Sequence, residues 1–283
     1  MLVIGATGEL GAEVARALAA GGVEVRAMTR RADRLHLASV DDVVRADLGD
    51  PLSLKAALED VQRVFLVSSP VIEQVELETS AIAAAESAGV QHLVKISNLP
   101  IAGLDSGLHG NHRAIERRLA ASGVASTVLQ PSFFSSVLLR QIGLLRRGRL
   151  ILPTGDGAIA WIDPRDIAAV AAEVLADPDP PVGVLRLTGP QSLTAAELAA
   201  RIGQAVGAEI TLDQPDLGKW GADLKSGGMD PWLVDSTLHL YAAVAAGALA
   251  GVSPDGPRVL GRATRPIEEW LRDELEPRLA RAE

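Results

Sequence analysis

The chain has 283 residues, enough to bury one large core or a core with a smaller lobe. Its 27 Lys and Arg against 36 Asp and Glu leave a net charge of −9 with no basic stripe, which speaks against nucleic acid and against an anionic membrane surface. It holds no cysteine, so disulfides, thiolate zinc sites and a cysteine nucleophile are excluded.

The chain opens directly into MLVIG, without a basic leader or a long apolar run. Neither a signal peptide nor a membrane span is predicted, and a cytoplasmic protein is expected. Strands are predicted near 1–4, 23–28, 42–45, 63–67, 91–96, 125–130 and 184–187. Helices are predicted near 9–20, 51–59, 73–88, 109–121, 135–146, 165–176, 194–206, 231–247 and 266–280. This alternation predicts an α/β chain with a Rossmann-like, doubly wound parallel sheet and helices on both faces. The apolar runs LVI, VFLV and HLVKI fit strands covered on both sides. The rhythm breaks after about residue 189. There GKWGADLKSGGMDPW reads as a loop that could cover a site, whereas DPDPP at 177–181 reads as a turn. The expected organisation is a dinucleotide-binding domain over 1–189, with 132–163 contributing to the pocket, and a smaller α/β lobe over 190–283 on the substrate side.

VIGATGELG at 3–11 is the most informative stretch. Gly5, Gly8 and Gly11 follow a strand and open a helix, where glycine makes the turn, admits a pyrophosphate and lets strand and helix pack closely. With Thr7, Glu9 and Leu10 they form the expected phosphate site, completed by the amides of the helix N-terminus. The second strand ends in Met28-Thr29-Arg30-Arg31, with Arg34 beyond, and carries no acid at its end. An acid there holds the ribose 2′-hydroxyl of NAD and an arginine accommodates the 2′-phosphate of NADP, so NADP(H) is expected, with Arg30 first and Arg31 and Arg34 in support. Asp47 and Leu48 follow the third strand and are expected to flank the adenine. Asp50 before Pro51 reads as a helix cap, as does Asp163 before Pro164, and Asp166 reads as structural. Ser68, Ser69 and Pro70 end the fourth strand, and Lys95 and Ser97 end the fifth. All five stand at the carboxyl edge where such sheets bind ligands.

G-A-T-G-x-x-G at the first turn, R-x-D at 45–47, a His-x-x-x-Glu helix and ASTVLQPSFF at 125–134 resemble the NmrA-like proteins, atypical members of the short-chain dehydrogenase/reductase superfamily. LPTGDGAIAWIDPRDIAAVAAEVL, LTGPQSLTAAELAARI and GMDPWLVDSTLHLY extend the resemblance over nearly the whole chain. It implies an NADPH-dependent oxidoreductase acting on a quinone-like or other conjugated, apolar small molecule. It also implies two alternatives: a cofactor-sensing regulator without turnover, or a non-redox isomerase or dehydratase on the same fold. The first strand is short before Gly5, so the chain begins unusually close to the phosphate turn. By the same resemblance Pro131 and Phe133 belong to a cofactor-side loop, with Phe134 as apolar wall, and Ser97 stands at the usual catalytic serine position. Trp161, Trp220, Met229, Trp232 and Tyr241 are further candidates for the pocket wall. A homodimer is left open.

Ordinary short-chain dehydrogenases place Tyr-x-x-x-Lys on the helix after the fifth strand, the tyrosine as proton donor. In GLHGNHRAIERRL, aligned through Glu116, Leu108 stands at the tyrosine position and His112 at the lysine position. His109 and His112 are therefore the catalytic candidates, with His112 also facing the cofactor. Two other readings stay open for His112: a metal ligand with His109 and Glu116, or a buried imidazole satisfied by Glu116 or a carbonyl.

Overall fold

The structure, a computed structural model, describes residues 1–31, 40 and 42–280. The phosphate-loop glycines join strand β1 (Leu2–Ile4) to helix α1 (Glu9–Ala20). Then follow β2 (Arg26–Thr29), β3 (Asp42–Arg45), α2 (Pro51–Ala57), β4 (Arg63–Leu66), α3 (Gln74–Ser87), β5 (His92–Ile96), α4 (Gly107–Ala120) and β6 (Ala125–Pro131). A 3₁₀ segment Ser135–Gln141 leads to α5 (Ile142–Leu145), β7 (Arg149–Ile151), β8 (Ala158–Ile159), α6 (Pro164–Ala176) and β9 (Gly183–Leu187). Among the described residues, seven strands form one sheet in the order β3-β2-β1-β4-β5-β6-β9, each pair parallel. The order reverses between β1 and β4, which opens a crevice at their carboxyl ends.

Alternation along each strand decides which layer a side chain meets. Leu2, Ile4, Val64, Leu66 and Leu93 pack on Leu54, Ile82, Ile115 and Leu119 of α2, α3 and α4. Val3, Ala27, Phe65, Val94 and Leu129 pack on Val14, Leu18, Val170 and Val174 of α1 and α6. Both faces are covered, which is why the strand runs are apolar on both sides.

The lobe beyond the sheet holds β10 (Leu193–Thr194), α7 (Ala195–Val206), β11 (Thr211–Asp213), α8 (Leu217–Ser226), α9 (Pro231–Ala245), α10 (Asp255–Leu260) and α11 (Ile267–Trp270). A π-helical segment Leu271–Leu275 and α12 (Glu276–Ala280) complete it. Two small pairings, parallel β7–β11 and antiparallel β8–β10, stitch the lobe to the chain before it. Its core joins Leu138, Leu150, Leu152 and Trp161 to Leu198, Ile202, Tyr241, Val244 and Trp270, and so is built from both sides of residue 189.

The expected site-covering loop within 207–230 is instead largely ordered as β11 and α8. Gly218 and Gly221 hide the helix in the sequence, because glycine is a poor helix former. Gly221 is there for packing: a Cβ on it would lie 2.6 Å from Leu238 Cδ1 on α9. Asp216 starts α8 by accepting from the amides of Gly218 at 2.8 Å and Lys219 at 3.2 Å. The sequence pattern also misses β7, β8, β10 and α10, which are too short to show a period. The helix expected over 266–280 carries the π-helical segment in its middle.

Asp50 and Asp163 cap α2 and α6 as the sequence predicts, accepting from Leu52 and Arg165 amides. Asp166 is wholly buried and fastens the chain after α10 to the sheet layer. It accepts from the Arg265 amide at 2.5 Å and the Arg262 guanidinium at 2.7 Å, and pairs with the Arg265 side chain. Removing one member of a buried ionic cluster costs about 3 kcal/mol, so Asp166→Ala should lower unfolding free energy by that order in urea titrations. Asp166→Asn, which retains an acceptor, should cost less.

Candidate active site

The phosphate turn is shaped by contacts that only glycine permits. Gly5 has φ +85°, and a Cβ on it would lie 2.4 Å from the Val67 carbonyl oxygen of the neighbouring β4 end. A Cβ on Gly11 would lie 2.2 Å from the Gly5 carbonyl oxygen, so α1 closes directly on the turn. Gly8 donates its amide to Gly5 O at 2.9 Å and caps α1 without a side chain. Leu10 and Gly11 are buried behind the turn, while Thr7, Gly8 and Glu9 are exposed on it. An anion at this place meets first-turn amides that have no helical partner.

A cavity of about 280 Å³ continues from the turn, walled by Gly5, Thr7, Thr29, Arg30, Asp47, Leu48, Ser68 and Ser69. The carboxyl ends of β1, β2, β3 and β4 bring these residues together. Arg30 is exposed on its rim. Arg31 is exposed off the wall, its amide donating to Thr29 Oγ1 at 3.1 Å. Arg34 lies outside the described residues. Asp47 holds its own loop, with Oδ1 accepting from the Gly49 amide at 2.9 Å.

A second cavity, of about 290 Å³ and mostly apolar, shares Val67 and Ser68 with the first. Pro70, Ser97, His109, His112, Pro131 and Phe133 line it, with Leu108, Phe134, Leu240 and Leu249. The residue at the missing tyrosine's place is thus an aliphatic wall. Trp161 and Tyr241 sit behind Phe133, at 5.5 and 5.7 Å between ring centres, and Trp220 stacks edge-on against Tyr241 at 4.8 Å. These three belong to the lobe core, and Met229 and Trp232 do not reach the wall. Leu240 of α9 and Leu249 beyond it take the place expected for them on the cavity wall.

The polar floor of this cavity differs from the sequence expectation. Lys95 lines neither cavity; its side chain is fully buried, one layer beneath. Its Nζ lies 3.2 Å from Glu78 Oε2 of α3, donates to Ile96 O at 2.6 Å, and lies 3.1 Å from His112 Nδ1 of α4. Glu78 Oε1 accepts from Ser68 Oγ at 2.6 Å and from Gln74 Nε2 at 3.1 Å. Glu116 is not a partner of His112. It accepts from Ser97, from Gln130 Nε2 at 3.0 Å and pairs with Arg113 at 2.8 Å. Among the described residues no three His, Asp or Glu side chains gather as a metal-ligand group.

Glu78 and Gln74 went unread in the sequence although a signal exists. With Ala81, Ile82 and Ala85 they complete the buried stripe of α3, and an acid inside such a stripe requires a buried partner. Gln74 Oε1 and Ser132 Oγ are buried at the cavity without a partner among the described residues. Unmet polar atoms of this kind fit a polar ligand group at the cavity wall.

Burial, with Arg113 beside it, pushes the His109 pKa down to about 4. His112 is held well below its ordinary value by burial first, then by Lys95, His109 and Arg113. Both are therefore neutral in the folded protein at neutral pH. Between pH 6.5 and 4 the unfolded chain takes up a proton at residue 109 that the folded chain refuses, so stability falls as pH drops through that window. Below it, both states are protonated at residue 109 and the loss stops. At about 1.4 kcal/mol per unit the share of residue 109 is on the order of 2 kcal/mol between pH 7 and 5, and His109→Asn should remove that share in urea titrations compared at those two values, leaving the share of His112.

Comparison with known proteins bears on the same groove. The pattern of the NmrA-like family matches residues 1–217. The chain is 35% identical to the NAD(P)H azoreductase of Xenophilus azovorans over 285 residues, covering 96% of each. It is 32% identical over 280 residues to the (4-alkanoyl-5-oxo-2,5-dihydrofuran-3-yl)methyl phosphate reductase of Streptomyces griseus, covering 98% of each. The crystal structure of an NADPH-dependent quinone oxidoreductase from Escherichia coli in complex with NADPH superposes with a TM-score of 0.86 at 30% identity, covering 96% of this chain and 98% of that one. Sheet order, phosphate turn and sequence agree, and the chain belongs to the NmrA-like family.

Proposed function

We propose that the chain is an NADPH-dependent oxidoreductase that reduces an apolar, conjugated small molecule such as a quinone. The observation that carries this reading is the apolar cavity beside His112, which continues the groove from the phosphate turn through Val67 and Ser68. A protein that only senses the cofactor has no need of a second chamber there. The names of the azoreductase and quinone oxidoreductase relatives support the same chemistry.

The residues present fit the cofactor. Gly5, Thr7, Gly8, Glu9, Leu10 and Gly11 would hold the pyrophosphate at the α1 N-terminus. Arg30, supported by Arg31 and Arg34, would take the 2′-phosphate, and Asp47 and Leu48 would flank the adenine. Ser68, Ser69, Pro70, Pro131 and Phe133 would border the nicotinamide ribose, with Lys95 acting from beneath through His112. Ser97, tied to Glu116 and Arg113, would shape the floor. When bound, NADPH supplies a hydride. His112 and His109 face the chamber where the acceptor would lie. A quinone delocalises the charge it gains, so the chemistry is less dependent on a tyrosine acid than carbonyl reduction is.

Loss of NADPH absorbance with a panel of quinones tests the activity; no oxidation above background with any acceptor contradicts it. Arg30→Ala should weaken NADPH binding by about tenfold to a hundredfold, the value of a charge-assisted phosphate contact, and leave NADH binding nearly as it was. Tighter NADH than NADPH binding by the unaltered protein would contradict the role given to Arg30.

A further inference from the structure

We propose that Glu78 and Lys95 hold His112 as the tautomer with its proton on Nε2, and that Lys95 and His112 form a proton path into the cavity in place of the absent tyrosine. The inference rests on the reductase reading for its chemistry and on the buried contacts for its geometry.

A lysine ammonium has three donors and no acceptor. Lys95 donates to Ile96 O, lies 3.1 Å from His112 Nδ1 and forms an ion pair with Glu78 Oε2 at 3.2 Å. A nitrogen that receives a lysine N–H must offer its lone pair, so Nδ1 is bare and the proton of the neutral ring sits on Nε2. Burial and the lysine charge both keep this ring neutral. No described side chain or carbonyl pairs with Nε2, and His112 forms part of the cavity wall. Glu78 is itself held in place by Ser68 and Gln74, which leaves its other oxygen turned to Lys95.

Hydride addition to a quinone brings two electrons and one proton, and leaves an oxyanion that needs a second proton. The path delivers it in two linked transfers. As the substrate O–H bond forms, the His112 Nε2–H bond breaks. At the same time Nδ1 gains a proton from Lys95, which becomes an uncharged amine. Burial lowers the Lys95 pKa, against the pull of Glu78, and so favours this product of the transfer. Once the hydroquinone leaves, water returns a proton to Nε2 and the Nδ1 proton goes back to Lys95. His112 touches the substrate and is the catalytic residue; Lys95 and Glu78 are positioning residues that act through it.

Two acceptors separate this proposal from the reductase reading. A quinone needs hydride and a proton, whereas a cationic triphenylmethane dye becomes a neutral product by hydride alone. His112→Asn and Lys95→Met should slow quinone reduction by about a hundredfold, within the range of a general acid, and slow dye reduction about tenfold less. Because Lys95→Met leaves a buried carboxylate alone, the double variant Glu78→Gln/Lys95→Met supplies the same comparison without that charge. Equal losses on the two acceptors would overturn the path. Independently of turnover, ¹⁵N NMR of the cofactor-free protein labelled at histidine should show His112 protonated on Nε2 and bare on Nδ1 at pH 7. It should also show mixed tautomers in the double variant. A proton on Nδ1 in the unaltered protein would overturn the proposal. Should the unaltered protein reduce neither acceptor, the reductase reading fails and the NMR result alone decides for or against the tautomer.

Discussion

Lys95 enters the sheet on β5 with no surface in water, and a buried ammonium persists only where an opposite charge and hydrogen-bond acceptors surround it. Those partners come from three separate elements: the Glu78 carboxylate from α3, a β5 carbonyl, and His112 from α4. The demand of one charge therefore sets the depth of two helices against the strand between them. It also decides what the cavity meets. The charge pair stays one layer down and is neutral in sum, so the chamber above remains apolar while still being offered an N–H. Removing either partner would leave the other buried and alone, which is why the pair is better understood as a fixed unit than as two residues.

The groove divides its work along the sheet edge. At the phosphate end backbone shapes the groove: Gly5 and Gly11 bring strand, turn and helix so close that the α1 N-terminus opens directly on the turn. At the far end, side chains do it, and they are mostly aliphatic and aromatic. Phe133 belongs to both worlds, since it lines the cavity and packs on Trp161 and Tyr241 of the lobe core. The lobe thus supports the chamber wall through an aromatic cluster, and its core draws on segments from both sides of residue 189.

The layout of the sheet was legible because parallel strands covered on both faces must be apolar and because glycine at the phosphate turn has a steric reason. That Arg30, Ser68 and His112 stand on the groove wall followed from their places at strand ends and on the helix after β5. Lys95 was misplaced as a direct cofactor contact because its position at a strand end was weighed above its parity. It shares its face of β5 with Leu93, which packs on α3 and α4, and so it had to point to those helices. Glu78 was overlooked because an acid reads as solvated unless the stripe it shares with Ala81 and Ile82 is counted. Helix α8 escaped because it carries two glycines, of which Gly221 answers to packing on α9 and not to helix propensity.

One continuous groove runs from Arg30 to His112, and the proposed proton path has the histidine offering Nε2–H at its inner end. A crystal structure of the protein with NADP⁺ and a quinone tests this most directly. The expected result has the adenosine end beside Arg30 and Leu48, the nicotinamide beside Ser68, and His112 Nε2 within hydrogen-bond reach of a quinone oxygen while Nδ1 stays on Lys95. A cofactor seated elsewhere, or a His112 ring turned so that Nε2 meets Lys95, would contradict it.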